Sequence, residues 1–336
     1  MKYLYVLTSN KYDYYLEQAF LSMSSLRMQM PDAFISLLVD NITEQTLVGK
    51  RKNILSLVNE FKSLEINDKF GQKARSRWLK TSMRQNIEGD FLYIDGDTII
   101  ADDLSSLNNI DVDIGAILDS HIYLAEKDKY LPDHSKSIKI LCPKLGITPT
   151  YDLNVYFNGG ILFCRDNETG HNLFREWHRL WLCCFELGEL LDQPSLNISN
   201  FILGNVVKEL DGIWNCQILD DGALRYLHAA KIIHYMSSRP GEKAFIPAND
   251  EFIHSIKETG IVDENIREAI KKSKSLFLPN TRLLVLDKSS HMFYHSAFCG
   301  VAKRIFSTNI GKAVEFLLSI IRKRLYMPLR KKFSKR

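Results

Sequence analysis

The ten residues FLYIDGDTII, Phe91 to Ile100, decide the reading of this chain. Four apolar residues, Phe91 to Ile94, make a buried strand. Two carboxylates, Asp95 and Asp97, then stand at i and i+2, with Gly96 between them. In an extended segment, side chains two apart point to the same side. Two carboxylates on one side, at a strand's carboxyl end, make a site for a hard divalent cation. Gly96 lets a ligand or the backbone approach closely. An isolated pair of this kind also suits a solvated acidic turn, and the apolar strand before it argues against that.

Outward from this run, strand-like and helix-like segments alternate. Tyr3 to Leu7, Phe34 to Val39 and Ile114 to Leu118 are short apolar runs that predict strands. Tyr14 to Met28, Thr43 to Val58 and Leu79 to Ile87 carry apolar residues at helical spacing, with Thr43 placed as a cap. The alternation predicts an α/β sandwich around a mostly parallel sheet, in which ligands bind beyond the carboxyl ends of strands. Ser120 to Leu153 is mixed and polar, contains Pro132, Pro143 and Pro149, and reads as a long, partly helical connection, of the kind that often serves as a lid or binding loop. Phe157 to Cys164 is apolar around Gly159 and Gly160, Leu173 to Phe185 is an amphipathic helix, and Ile232 to Tyr235 is a short strand.

The 336 residues allow one large domain or two ordinary ones. Apolar content of 45% and charged content of 25% are those of a soluble globular chain. None of the six cysteines forms a Cys-x-x-Cys pair, so reduced thiols of a cytosolic protein are expected in place of a disulfide or zinc framework. The start, MKYLYVLTSNKYDYY, has no long apolar segment, and no run of about 18 apolar residues exists; neither a cleaved signal peptide nor a spanning helix is expected. The net charge of +4 is split. Residues 302–336 hold eleven Lys/Arg against Glu315 alone, leaving 33 basic and 39 acidic residues in positions 1–301. A mildly acidic body with a strongly basic end predicts a polyanionic surface as the partner of that end.

Six segments, in order, resemble the family-8 glycosyltransferases, the GT-A-fold family that includes glycogenin and bacterial lipopolysaccharide galactosyl- and glucosyltransferases. They cover residues 1 to about 245. VLTSN, Val6 to Asn10, is similar to the family's first strand and nucleotide-binding turn. SRWLKTS carries Arg77, similar to the basic residue that opens the helix before the metal motif. FLYIDGDTII is similar to the metal-binding strand, and YFNGGILFCR, Tyr156 to Arg165, to the Asn-(Ala/Gly)-Gly strand. LDQPSLN holds Asp192 and Gln193 where the family has its Asp-Gln pair. IWN, Ile213 to Asn215, and IIHYMSS with His234 are similar to the Trp-Asn and the metal-binding histidine.

The resemblance implies a GT-A-type, Rossmann-like mixed sheet flanked by helices, with a C-terminal helical basic tail. It implies a cation, Mn²⁺ or Mg²⁺, held by Asp95, Asp97 and His234, and a UDP-sugar donor whose anomeric configuration is retained. A nucleoside diphosphate leaves poorly until its charge is neutralised, and a divalent cation does that as a Lewis acid. Arg77 and Lys243 are candidate phosphate partners. The family's Gly-x-x-Lys-Pro-Trp is replaced here by SSRPGEKAF, which leaves Arg239 as the alternative to Lys243. Asn158, Asp192 and Gln193 are candidates for the sugar hydroxyls. Before Gln193-Pro194, Asp192 also fits a helix cap. Thr8, Asn10 and Gly96 join the expected nucleotide site, and Asp119, at the end of a strand, is a further candidate for the donor sugar or a turn.

The expected organisation is a catalytic domain over 1–250, a helical or irregular extension over 251–301 and a basic amphipathic tail over 302–336. In Ile310 to Leu325, Val314, Leu317, Leu318, Ile321 and Leu325 stand at helical spacing between basic clusters. Such a helix reads as an interfacial anchor on an anionic membrane. The expected location is thus cytoplasmic, on the inner face of the cytoplasmic membrane, with a glycan or glycolipid acceptor and no nucleic acid. Two rivals are a sugar nucleotidyltransferase and a non-catalytic sugar- or polyanion-binding protein. The first calls for a glycine-rich basic loop near residue 10, which VLTSNKYDYY lacks, and the intact Asp95, Asp97 and His234 argue against the second.

Overall fold

The computed structural model describes residues 1–67, 69–124, 136–148, 155–218, 223–235, 246–275, 293, 296–306 and 308–321. Two compact units form: Met1–Glu126 with Ser135–Thr281, and Lys127–His134 with Arg282–Arg336.

In the first unit the strands are β1 (Lys2–Leu7), β2 (Phe34–Asp40), β3 (Glu60–Leu64), β4 (Phe91–Ile94), β5 (Thr98–Ile100), β6 (Ile114–Leu118), β7 (Phe157–Cys164), β8 (Lys208–Glu209), β9 (Cys216–Gln217) and β10 (Ile232–His234). Its helices are α1 (Tyr15–Gln29), α2 (Asn41–Gln45), α3 (Gln72–Thr81), α4 (Met83–Asn86), α5 (Lys136–Lys144), α6 (Glu168–Glu186), α7 (Gln193–Ile202), α8 (Leu224–Leu227), α9 (Asp250–Thr259) and α10 (Glu264–Lys271).

Seven strands make one mixed sheet in the order β3-β2-β1-β4-β7-β6-β8. The first four are parallel neighbours, β7 runs antiparallel to both β4 and β6, and β8 is parallel to β6. Alternate residues of each strand feed opposite faces, as the pleat requires. Tyr3, Tyr5, Ile35, Leu37, Leu92 and Ile94 pack with α1 on one face, which also takes Ile253 and Ile256 of α9 and Ile266 of α10. Leu4, Leu38, Phe91, Tyr93, Ile114 and Ala116 pack on the other face with Leu79 of α3, Trp177 of α6 and Leu196 of α7. Helices on both faces of a mixed sheet are the expected architecture.

A smaller sheet, β5-β10-β9, is entered through β5, which follows β4 in the chain. β10 runs antiparallel to β5, with His234 opposite Thr98, and parallel to β9.

Several local expectations change. Thr43 to Val58 is not one helix. Asp40 caps the short α2, its side chain accepting from the Thr43 amide, and a separate 3-10 segment follows over Gly49–Leu57. Gly49, at φ 54°, breaks the run in a conformation that suits glycine. The segment around Leu79 begins earlier, at Gln72, and breaks at Ser82 into α3 and α4. All six cysteines are free.

The second unit contains α11 (Ala297–Phe306) and α12 (Asn309–Ile321). Phe298, Val301, Ile310, Phe316 and Leu317 are exposed on them. The basic end over 322–336 lies outside the described residues. No helix among the described residues is long and apolar enough to cross a membrane.

Candidate active site

Asp95 follows β4 directly, and Asp97 ends the three-residue link to β5. The Asp95 amide donates to Gly160 O (2.8 Å), beside β7, while Thr98 Oγ1 donates to Asp95 O (2.8 Å) across the link. Pairing of β10 with β5 then brings in His234, and the Tyr235 amide donates to Asp97 O (3.2 Å). One ligand atom from each of Asp95, Asp97 and His234 lies within 4.8 Å of the others. His234 Nε2 is 3.2 Å from Asp97 Oδ1.

β7 shapes the floor. Its register with β6 shifts, so that Ala116 faces Leu162 but Ile117 faces Asn158. Gly159 and Gly160 sit in this irregularity. A Cβ at Gly160 would stand 2.5 Å from His234 Cε1, 2.9 Å from Asp95 Oδ2 and 2.9 Å from Asn158 Oδ1. Only glycine leaves this space open. At Gly96 the close neighbour is the chain itself: a Cβ there would meet Ala19 of α1 at 3.4 Å.

A relay of hydrogen bonds fixes the histidine. The Gly160 amide donates to Asn158 Oδ1 (2.8 Å), which makes that atom an acceptor. Asn215 Nδ2 also donates to it (3.0 Å), so Asn215 Oδ1 faces His234 Nδ1 (3.0 Å). His234 must therefore carry a proton on Nδ1. In the neutral ring this leaves Nε2 with a free lone pair, the tautomer a metal ligand needs. The remaining Asn158 donor goes to Asp119 Oδ1 (3.1 Å), which places Asp119 in the same network.

Asp192 is joined to the carboxylate pair through Lys80. It precedes α7, but its side chain makes no capping hydrogen bond. Instead Arg77 Nε pairs with Asp192 Oδ1 (2.9 Å) and Lys80 Nζ with Asp192 Oδ2 (3.2 Å). Trp177 Nε1 donates to Asp192 O (2.9 Å) and anchors the backbone there. Next to it, Gln193 Oε1 accepts from the Gly159 amide (3.3 Å). Lys80 Nζ also lies 3.5 Å from Asp95 Oδ2.

The electrostatics follow from these pairings. Burial opposes ionisation of Asp192, but Lys80 and then Arg77 outweigh it and hold the carboxyl below its ordinary range. Asp192 in turn holds the Arg77 guanidinium above its usual value. Burial opposes both charges of the Asp97–His234 pair as well. The attraction between them wins, lowering Asp97 and raising His234. Asp95, Asp97 and Asp192 outnumber the cations Arg77 and Lys80, so the cluster is one negative charge in excess when His234 is neutral. Two carboxylates, an imidazole with its lone pair set free and a glycine-made space fit a hard divalent cation.

Thr8 and Asn10 are not part of this cluster. Thr8 Oγ1 donates to Gln72 O (3.4 Å), Asn10 Nδ2 to Gln72 Oε1 (2.7 Å) and the Asn10 amide to Asp13 Oδ2 (2.9 Å). Gln72 opens α3, so one helix joins the turn after β1 to Arg77 and Lys80. Lys243 and Arg239 lie outside the described residues. Sequence reading missed Lys80, Tyr93, whose hydroxyl donates to Asp95 Oδ1, and the part Asn215 plays in orienting His234. Lys80 carried a usable signal, since it is one helical turn from Arg77 and shares its face.

Residues 89–240 match the family model described as glycosyl transferase family 8. Among solved structures, the galactosyltransferase LgtC in complex with donor and acceptor sugar analogues is similar at a TM-score of 0.53 and 16% identity, covering 80% of this chain and 100% of its own. An active-site mutant of LgtC gives a TM-score of 0.52 at 14% identity, with coverage of 80% and 100%. These likenesses carry the fold. No curated protein sequence matches the chain. The family match spans the Asp95–Asp97 strand, the glycine strand, the Asp192–Gln193 pair and His234, so residues 89–240 carry a glycosyl transferase family 8 domain, on a GT-A fold similar to that of LgtC.

Proposed function

We propose that the protein moves a hexose from a UDP-sugar to a glycan or glycolipid acceptor, with retention of configuration, in cell-surface polysaccharide or lipopolysaccharide synthesis. The observation that carries this reading is the meeting of Asp95, Asp97 and His234 beside the Asp192–Gln193 pair. Asp95, Asp97 and His234 would hold Mn²⁺, or Mg²⁺ in its place. When bound, the cation supplies Lewis-acid neutralisation of the diphosphate leaving group.

The other roles belong to the chain. The turn at Thr8 and Asn10 receives the nucleotide, beyond the carboxyl end of β1. Gly96, between the two aspartates, is assigned to the nucleotide side as well. Arg77 acts on the phosphates, and Lys243 is assigned the same work. Asp192, Gln193 and Asn158 orient the donor sugar through its hydroxyls, with Asp119 alongside. Their amide and carboxylate groups are already fixed by mutual hydrogen bonds and ion pairs, which lowers the ordering cost of binding. The exposed apolar residues of α11 and α12 and the basic residues of 302–336 would rest on the inner face of the cytoplasmic membrane, where a lipid-linked acceptor lies.

The test is a screen of nucleotide sugars for hydrolysis, since slow hydrolysis reports the donor without an acceptor. One UDP-hexose should release UDP in the presence of Mn²⁺, and excess chelator should abolish the release. Asp97→Asn should lower turnover at least about a hundredfold, the scale of losing several kcal/mol of charge stabilisation. Its circular dichroism should stay that of the wild type. Full turnover in excess chelator would refute the metal's role, and the absence of UDP release from every donor would favour a binding protein.

A further inference from the structure

We propose that Lys80 is a positioning residue that links the two halves of the site and sets its affinity for the cation. The inference rests on the metal site of the reading above.

Lys80 is buried on α3, 4% exposed. Its ammonium stands between two carboxylates that serve different ends of the reaction: 3.5 Å from Asp95 Oδ2 on the cation side and 3.2 Å from Asp192 Oδ2 on the sugar side. The ring of Tyr93 lies under it, 5.1 Å from the ammonium to the centroid. Tyr93 also donates its hydroxyl to Asp95 Oδ1. Both Asp95 oxygens are thus engaged before any cation arrives. A Cβ at Gly159 would lie 3.4 Å from Nζ, so the glycine strand closes over the ammonium.

Arg77 does not duplicate this placement. Its guanidinium is paired with Asp192 Oδ1, and the Arg77 side chain is 34% exposed, on the open side of the site. Among the described residues, Lys80 alone pairs with both carboxylates. Two consequences follow. A positive charge beside Asp95 opposes a divalent cation, so Lys80 weakens cation binding. The same charge holds Asp192 in place and ionised, so Lys80 supports turnover. Removing it should move the two quantities in opposite directions.

The experiment compares the full chain with Lys80→Met and Lys80→Gln, which remove the charge, and Lys80→Arg, which keeps it. Mn²⁺ alone is titrated by calorimetry, and UDP-hexose hydrolysis is measured at saturating Mn²⁺. The uncharged variants should bind Mn²⁺ about tenfold more tightly, as expected on losing a like charge a few ångströms away. Their kcat should fall about tenfold or more with KM changed less than about threefold, the pattern of an interaction made in the transition state. Lys80→Arg should return Mn²⁺ affinity to within about threefold of the wild type. A residue that only supported the fold would lower affinity and turnover together. Unchanged or weaker Mn²⁺ binding in both uncharged variants, with a wild type that binds Mn²⁺ and hydrolyses a donor, overturns the role of Lys80 alone. A wild type that does neither overturns the functional reading, and this inference with it.

Discussion

Gly160 shows how little separates an open site from a filled one. Its missing methyl group is the space shared by His234 Cε1, Asp95 Oδ2 and Asn158 Oδ1. Gly160→Ala should therefore weaken Mn²⁺ binding more than about tenfold while the chain still folds, because overpacking costs about 1–3 kcal/mol. In a chain of this size that cost lowers the melting midpoint by about 2–10 °C. Calorimetry beside thermal melting checks both, and wild-type Mn²⁺ affinity in the alanine variant would show that the space is not used. Much of this was legible residue by residue. The Asp95–Asp97 spacing and the apolar strand before it pointed to a shared cation, and the structure places His234 beside them. The relay through Asn158 and Asn215 was not legible. It joins residues 57 and 19 positions apart through amide groups whose orientation depends on a backbone donor, and no local pattern encodes that.

Whether an element could be read from the sequence depended on its burial. β1, β2, β4, β6 and β7 stood out because nearly all their residues are buried, which makes continuous apolar runs. β3, with the sequence EFKSL, is an edge strand with no buried residue, and its polarity hides it. β8 and β9 have two residues each, too short for any periodicity. α7 carries a sharper lesson. Asp192 and Pro194 match a helix-start pattern, yet the carboxylate caps nothing and turns to α3. Asp192→Asn therefore takes no cap from α7. It should lower kcat about a hundredfold or more, the scale of losing one aligned electrostatic group. UDP affinity should fall much less than kcat, because Asp192 is assigned to the sugar end of the donor. Steady-state kinetics set against UDP calorimetry makes the comparison, and an equal loss in both would place Asp192 on the nucleotide side.

At the scale of the whole molecule, charge and apolar exposure divide along the chain. Residues 302–336 hold eleven basic residues against one acid, and exposed Ile310, Phe316 and Leu317 lie in the same stretch. Deleting 302–336 should leave transfer to a soluble acceptor nearly intact and cut co-sedimentation with anionic vesicles more than about tenfold, as each basic residue near an anionic leaflet contributes about 1 kcal/mol. Raised salt should reproduce much of that loss in the full chain. Equal pelleting of both forms would leave the segment without a membrane role. The two-sheet arrangement has its own consequence for how the protein is made. Asp97 and His234 meet across 137 positions, and they do so only when β10 has paired with β5. Chains fold from the N-terminus as they leave the ribosome, and closures between distant strands come late. For most of its synthesis the nascent chain thus carries both aspartates without their imidazole. A polypeptide cut short before Ile232 has the aspartates yet lacks the histidine, so the Asp95–Asp97–His234 cluster assembles only in chains that are translated past that strand.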